Sequence, residues 1–168
     1  MQTYTSANTS VNKNKVPKVF RKVHWDIGER NLDYGGGKYD TASDFLMKEY
    51  GAYNLIYDPF NRTREHNNEV LVELYTHGGA DTCTISNVLN VIDEKLDRLI
   101  ALQIAKTLMK SKGMAFITVY EGDKSGVGGR TGKDQWQNNL PLSAYLDEVK
   151  EVFDRAYIDR GMIVAAKE

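Results

Sequence analysis

The hydrophobic residues of this chain follow two spacings, one typical of strands and one typical of helices. Five segments are short and apolar or rich in β-branched residues, as strands are: 30–36, 52–60, 80–92, 114–120 and 155–168. Four segments carry apolar residues at helical spacing: 40–51, 67–79, 93–113 and 142–153. This alternation predicts an α/β fold in which a mostly parallel sheet has helices on both faces.

The clearest helical stripe begins at Asp93 and is predicted to end at Gly113. Its apolar residues share one face and are expected to point into the core: Leu96, Leu99, Ile100, Ile104 and Leu108. The next run, 114–120, is continuously apolar and is typical of a strand buried on both faces. The end of the chain, 155–168, is predicted to be a closing strand or hairpin about Asp159–Gly161.

The length of 168 residues favours one domain. Residues 1–15 are rich in Ser, Thr, Asn and Lys and have little to bury, so we expect a disordered N-terminal tail. Residues 16–168 are then expected to form a single domain. Within it, 121–141 is a glycine-rich polar segment, long enough to indicate a function beyond connection.

Composition narrows the classes of function only slightly. Lys and Arg number 22 against 23 Asp and Glu, so the surface as a whole carries no electrostatic footprint for nucleic acid. The single cysteine, Cys83, excludes an internal disulfide and a multi-cysteine zinc site, and it is expected to be a small buried residue. No apolar run is long enough for a membrane span, so we expect a cytoplasmic protein that does not bind membranes.

Three consecutive glycines lie between the first predicted strand and the first predicted helix, in the stretch LDYGGGKYD. Bare backbone at such a turn lets a ligand approach the helix N-terminus. A P-loop is disfavoured because no Ser or Thr follows Lys38. A dinucleotide-binding turn is disfavoured because its third glycine position holds Asp40, whose charge opposes a pyrophosphate.

The stretch LDYGGG also resembles the first motif of the class I S-adenosylmethionine-dependent methyltransferases. That motif ends the first strand with an acid, a spacer and alternating glycines, which here are Asp33, Tyr34, Gly35 and Gly37. The resemblance implies that this loop wraps the amino-acid end of S-adenosylmethionine and that Asp33 reaches its amino group.

Two later segments extend the resemblance. The second strand ends in Asp58, which in the resembling family accepts hydrogen bonds from the ribose, while Pro59 and Phe60 flank the adenine. The stretch TISNVLNVID is similar to the family's fourth motif, and it implies that Asn87 and Val88 line the cofactor.

The fold that the resemblance implies is a three-layer Rossmann-like sandwich. One helix uses most of the chain between Asp58 and Asn87, where the family usually has a further strand and helix. We therefore expect one edge strand and its helix to be missing.

Candidate acceptor-binding residues follow the third and fourth strands. Asn90 lies beside the fourth motif, and the 121–141 segment supplies Arg130, Trp136 and Gln137 as side chains that hold a polar group or stack on a ring. An aminomethylating enzyme of nucleic acid is disfavoured because the stretch SNVLN has no pair of prolines. No catalytic residue and no metal site is predicted.

The leading hypothesis is an S-adenosylmethionine-dependent methyltransferase whose acceptor is a small molecule or a nucleic acid. Two alternatives remain open. One is a non-catalytic module that binds S-adenosylmethionine and acts through a partner, and the other is an enzyme that cleaves S-adenosylmethionine. The glycine turn favours cofactor binding in all three cases and does not separate them.

Overall fold

A six-stranded sheet lies at the centre of the molecule. The computed structural model describes residues 2–9 and 12–168, and within them the strands run in the order β2-β1-β3-β4-β8-β7. These strands are β1 (Arg30–Tyr34), β2 (Tyr53–Tyr57), β3 (Ala80–Ser86), β4 (Met109–Thr118), β7 (Arg155–Asp159) and β8 (Met162–Ala166). A separate two-stranded hairpin is formed by β5 (Gly129–Gly132) and β6 (Gln135–Gln137).

Helices cover both faces of the sheet. They are α1 (Val19–Lys22), α2 (Thr41–Tyr50), α3 (Arg64–Thr76), α4 (Lys95–Thr107) and α5 (Leu146–Val152). One hydrophobic cluster joins one face of the sheet to α3, α4 and α5, and it includes Leu74, Leu102 and Val149. A second cluster joins the other face to α1 and α2 through Phe20 and Leu46. This is the predicted three-layer α/β sandwich.

The strand directions also agree with the predicted fold. Strands β2, β1, β3 and β4 are parallel, while β8 and β7 pair antiparallel at the far side. Strand β2 is an edge strand, and α3 alone connects it to β3. The predicted loss of one edge strand and its helix is therefore confirmed, as is the closing hairpin.

The prediction for the longest helical stripe is wrong in length and in face. Helix α4 ends at Thr107, and Gly113 lies inside β4 instead of ending the helix. Leu96, Ile100 and Ile104 are exposed, Leu96 by 68%. The buried side carries Arg98 and three small or medium apolar residues: Ala101, Leu102 and Ala105.

A buried ion pair explains the reversed face of α4. The Arg98 guanidinium donates to both carboxylate oxygens of Glu148 in α5, at 2.8 and 2.7 Å. It also lies 5.8 Å from the ring of Tyr145 and donates to two main-chain carbonyls. A fully hydrogen-bonded arginine can occupy a core position that an isolated charge cannot.

One smaller expectation, about the single cysteine, is confirmed by the fold. Cys83 is fully buried in β3, and burial raises the pKa of its thiol, as expected for a small core residue. The described part of the chain has no helix that is both long and apolar enough to cross a membrane.

Candidate functional site

A cavity of about 550 Å³ opens at the carboxyl ends of β1, β2 and β3. This is the edge of an open parallel sheet at which ligands bind, and the volume suits a small-molecule site. All nine residues predicted to bind the cofactor line it: Asp33, Tyr34, Gly35, Gly37, Asp58, Pro59, Phe60, Asn87 and Val88. The structure thus brings together side chains from three separate strand ends.

The glycine loop that follows β1 needs all three glycines. Gly35 and Gly37 have φ angles of +72° and +83°, in the left-handed region that glycine tolerates best. Gly36 is required for a steric reason, because a Cβ at this position would lie 2.4 Å from Oδ2 of Asp33. The sequence analysis had singled out only the alternating pair, Gly35 and Gly37.

Asp33 lies beneath that loop and is 2% exposed. Its carboxylate accepts hydrogen bonds from Nδ2 of Asn54 and from Oγ1 of Thr84, each at 3.1 Å. Burial raises the pKa of Asp33 from 3.8 to about 6, while these two hydrogen bonds oppose the rise. The group therefore changes charge close to neutral pH.

The raised pKa of Asp33 predicts opposite pH trends for stability and for binding of a cation. The folded state holds the proton more tightly than the unfolded state, so stability falls as pH rises from 3.8 to about 6. The loss is at most about 3 kcal/mol. A cationic ligand beside Asp33 should instead lose affinity below pH 6, by up to about tenfold per pH unit.

Thermal unfolding and calorimetry of the wild type and of Asp33→Asn across this range check both trends. The variant should show neither. If wild type and variant gave parallel pH profiles, Asp33 would not be the titrating group.

The Asp58 carboxylate accepts four hydrogen bonds, which fix the turn after β2 and fill all of its acceptor positions. Oδ1 accepts from the main-chain N–H groups of Phe60 and Asn61, at 2.9 and 3.0 Å. Oδ2 accepts from the N–H of Gly37 at 2.9 Å and from Nδ2 of Asn61 at 3.1 Å. A carboxylate offers about four such positions. A ribose hydroxyl can therefore bind Asp58 only by replacing one of these donors, and the Asn61 side chain is the one free to rotate.

Arg62 is a site residue that the sequence analysis missed. Its Nε donates to the carbonyl of Gly37 at 2.7 Å, and its Nη2 lies 2.8 Å from Oδ1 of Asp40. Arg62 thus ties the β2–α3 connection to the part of the loop that leads from the glycines into α2. It also accounts for Asp40, whose charge is paired with a cation of this chain.

The turn after β3 forms the opposite wall of the cavity. Asn87 has a φ of +57°, and its N–H donates to the carbonyl of Thr118 at 2.9 Å. A Cβ on Gly35 would lie 2.6 Å from Cγ2 of Val88, so the two turns are packed closely against each other. Asn87 itself is exposed at the rim.

Of the four residues predicted to bind the acceptor, Asn90, Trp136 and Gln137 line the cavity. Arg130 does not line it. Its Nη2 donates to the carbonyl of Lys133, and its guanidinium lies 6.0 Å from the ring of Tyr4. The predicted loop at 121–141 is partly a hairpin, β5–β6, and three residues of this hairpin line the cavity: Thr131, Trp136 and Gln137.

The N-terminal segment covers part of the cavity, which the sequence analysis did not predict. Tyr4 stacks on Trp136 with ring centroids 5.3 Å apart, and the N–H of Thr5 donates to Oδ1 of Asp134 at 3.1 Å. The cavity wall includes four residues of this segment: Gln2, Thr5, Ser6 and Thr9. Residues 1, 10 and 11 of the predicted tail lie outside the described residues. The division into a disordered tail at 1–15 and one domain at 16–168 stays a prediction.

The cavity is acidic. Asp33 and Asp58 are the charged residues in its wall, and no Lys, Arg or His of the described residues lines it. Such a site favours cationic or neutral ligands over phosphates and carboxylates.

No protein-family model matches the chain, and no curated protein matches its sequence significantly. Solved structures do match. PigF with SAH (S-adenosylhomocysteine) is 16% identical, with a TM-score of 0.63 over 90% of this chain and 55% of that one. The Burkholderia thailandensis 1,6-didemethyltoxoflavin-N1-methyltransferase, with bound 1,6-didemethyltoxoflavin and S-adenosylhomocysteine, is 14% identical, with a TM-score of 0.62 over 84% and 72%.

The pyocyanin biosynthetic protein PhzM is 14% identical, with a TM-score of 0.54 over 89% of this chain and 53% of that one. The chain thus spans about half the length of PigF and PhzM. At these identities the likeness concerns the fold. The chain has the class I, Rossmann-like methyltransferase fold.

Proposed function

We propose that the cavity binds S-adenosylmethionine and that the protein transfers its methyl group to a small molecule. The observation that carries this proposal is the convergence of all nine predicted cofactor residues, from three strand ends, on one cavity. The S-adenosylhomocysteine bound to two proteins of the same fold supports the choice of cofactor.

Each wall of the cavity has a part in this proposal. The glycine loop and Asp33 hold the amino-acid end of the cofactor, where a buried carboxylate suits an ammonium group. Asp58 accepts a hydrogen bond from a ribose hydroxyl, which replaces the one from the Asn61 side chain. Pro59 and Phe60 lie against the adenine. Asn87 and Val88 lie beside the sulfonium.

Methyl transfer requires little acid–base catalysis from the protein. A lone pair of the acceptor attacks the methyl carbon, the carbon–sulfur bond breaks, and its electrons remain on sulfur as S-adenosylhomocysteine forms. The acceptor then releases a proton to water. The protein contributes by aligning the two reactants and excluding water, and the covering segment around Thr5 and Trp136 supports the second task.

The acceptor is a small molecule without phosphate groups in this proposal. Nucleic-acid binding draws its affinity from Lys and Arg contacts to phosphates. Among the described residues that line the cavity there is no such cation. The N-terminal segment also lies over part of the opening that a polynucleotide would enter.

The test supplies S-adenosylmethionine with a labelled methyl group to the purified protein. Mixed phenols and aromatic amines are offered in one arm and oligonucleotides in the other. We expect label in the small-molecule arm, together with S-adenosylhomocysteine. Label in the oligonucleotides would contradict the acceptor class. Methylthioadenosine without a labelled acceptor would indicate cleavage, and binding without any turnover would favour the non-catalytic module.

A further inference from the structure

The side-chain oxygen of Asn90 is a buried acceptor without a donor. Asn90 lies in the 3₁₀ turn Leu89–Val91 after β3, is 3% exposed and lines the cavity. Its Oδ1 has no hydrogen-bond partner among residues 2–9 and 12–168. Buried polar atoms are nearly always paired, so an unpaired one beside a cavity points to a ligand.

A chain of hydrogen bonds determines which atom of the Asn90 amide is unpaired. The carbonyl of Tyr120 can only accept, and it receives a hydrogen bond from Nε2 of Gln137 at 2.8 Å. Oε1 of Gln137 therefore faces Asn90, where it accepts from Nδ2 at 3.0 Å. Oδ1 of Asn90 is therefore the atom left unpaired at the end of this chain of hydrogen bonds. Rotating the Asn90 amide would break its bond to Gln137.

The turn that carries Asn90 is held rigidly. The main-chain oxygen of Asn90 accepts from the N–H of Asn138 at 2.9 Å. Nδ2 of Asn138 donates to the carbonyls of Leu89 and Ile92, at 2.9 and 3.0 Å. The unpaired oxygen is therefore positioned in advance, and such preorganisation favours binding of a matching donor.

Asn90 lies at the end of the cavity away from Asp58. The sheet order places the turns after β2 and β1 on one side and the turns after β3 and β4 on the other. The second side combines Asn90 and Gln137 with the rings of Tyr120 and Trp136. Aromatic walls of this kind bind flat, weakly polar molecules.

We infer that Oδ1 of Asn90 accepts a hydrogen bond from an N–H or O–H group of the methyl acceptor, an uncharged aromatic or heteroaromatic molecule. The inference rests on the proposed function, in which the cofactor fills the β1–β2 side of the cavity. The hydrogen bond sets the orientation of the ring relative to the methyl group. The wall is acidic and has no cation among the described residues, so it selects against carboxylated and phosphorylated relatives of the same molecule.

The test uses protein saturated with S-adenosylhomocysteine and pairs of probes that differ by one donor: indole and N-methylindole, phenol and anisole, benzimidazole and N-methylbenzimidazole. Ligand-observed NMR titration gives the affinity of each. In the wild type we expect the donor-bearing member of a pair to bind about tenfold more tightly. In Asn90→Leu we expect that preference to vanish while S-adenosylhomocysteine still binds.

Two further variants keep the test interpretable. Asn68→Leu replaces an exposed asparagine of α3 outside the cavity and should keep the preference. Asn90→Asp keeps an acceptor oxygen: burial raises the pKa of the new carboxyl, whose O–H donates to Oε1 of Gln137 in place of Nδ2 and leaves the second oxygen unpaired, so this variant should also keep the preference. If thermal unfolding shows that Asn90→Leu does not fold, Asn90→Asp decides, and loss of the preference there overturns the inference.

Three other results would also overturn it. These are equal binding of both members of every pair by the wild type, a preference that survives in Asn90→Leu, and no probe binding at millimolar concentration to protein that binds S-adenosylhomocysteine. Failure to bind S-adenosylhomocysteine at all would instead overturn the proposed function.

Discussion

Gly36→Ala is expected to weaken binding of S-adenosylhomocysteine by about five- to 150-fold, which corresponds to about 1–3 kcal/mol of overpacking. The added Cβ would lie 2.4 Å from Oδ2 and 2.5 Å from Cγ of Asp33. That carboxylate is buried and held by Asn54 and Thr84, so it cannot give way. The loop must shift instead, and isothermal calorimetry measures the cost.

Gly129→Ala is the matched control for Gly36→Ala. Gly129 begins β5, a Cβ there meets nothing within 4 Å, and it does not line the cavity. The affinity of Gly129→Ala for S-adenosylhomocysteine should equal that of the wild type. Equal affinities for Gly36→Ala and Gly129→Ala, both folded, would show that the loop does not contact the ligand.

Asp58→Ala is expected to weaken binding of S-adenosylhomocysteine by about 1.5–3 kcal/mol, or roughly 10- to 150-fold. The substitution removes the acceptor for the N–H groups of Gly37, Phe60 and Asn61, so the glycine loop and the turn after β2 lose their common anchor. It also removes the carboxylate proposed to bind the ribose. Calorimetry and thermal unfolding, taken together, separate lost affinity from lost stability.

Asn61→Ala separates the ribose contact from the anchoring role of Asp58. It removes only the donor that competes for Oδ2 of Asp58 and leaves the three main-chain bonds in place. Affinity should stay the same or rise a few-fold. A loss as large as that of Asp58→Ala would contradict the exchange of Asn61 for a ribose hydroxyl.

The elements near the site could be predicted because local rules determine them. Strand β1 ends at a glycine turn, β2 ends before Pro59, and both follow from propensity and spacing. The face of α4 could not be predicted, since it depends on Arg98 pairing with Glu148, which lies 50 positions further along the chain. A pattern of large apolar residues carries no information about that partner.

The same distinction applies to the cavity. Asp33, Gly35 and Asp58 are found in the sequence because each follows a strand end in a motif. Gly36 and Arg62 were not found, because their roles depend on atoms brought close only by folding: the Asp33 carboxylate and the Gly37 carbonyl. The polar N-terminal segment gives no apolar signal at all, and its contacts with Asp134 and Trp136 depend on the β5–β6 hairpin far along the chain.

Calorimetric titration of the wild-type chain with S-adenosylhomocysteine at neutral pH tests the central claim most directly. The account predicts saturable binding of one ligand per chain with a dissociation constant in the micromolar range. No detectable heat at millimolar ligand, from protein that unfolds cooperatively, would contradict it.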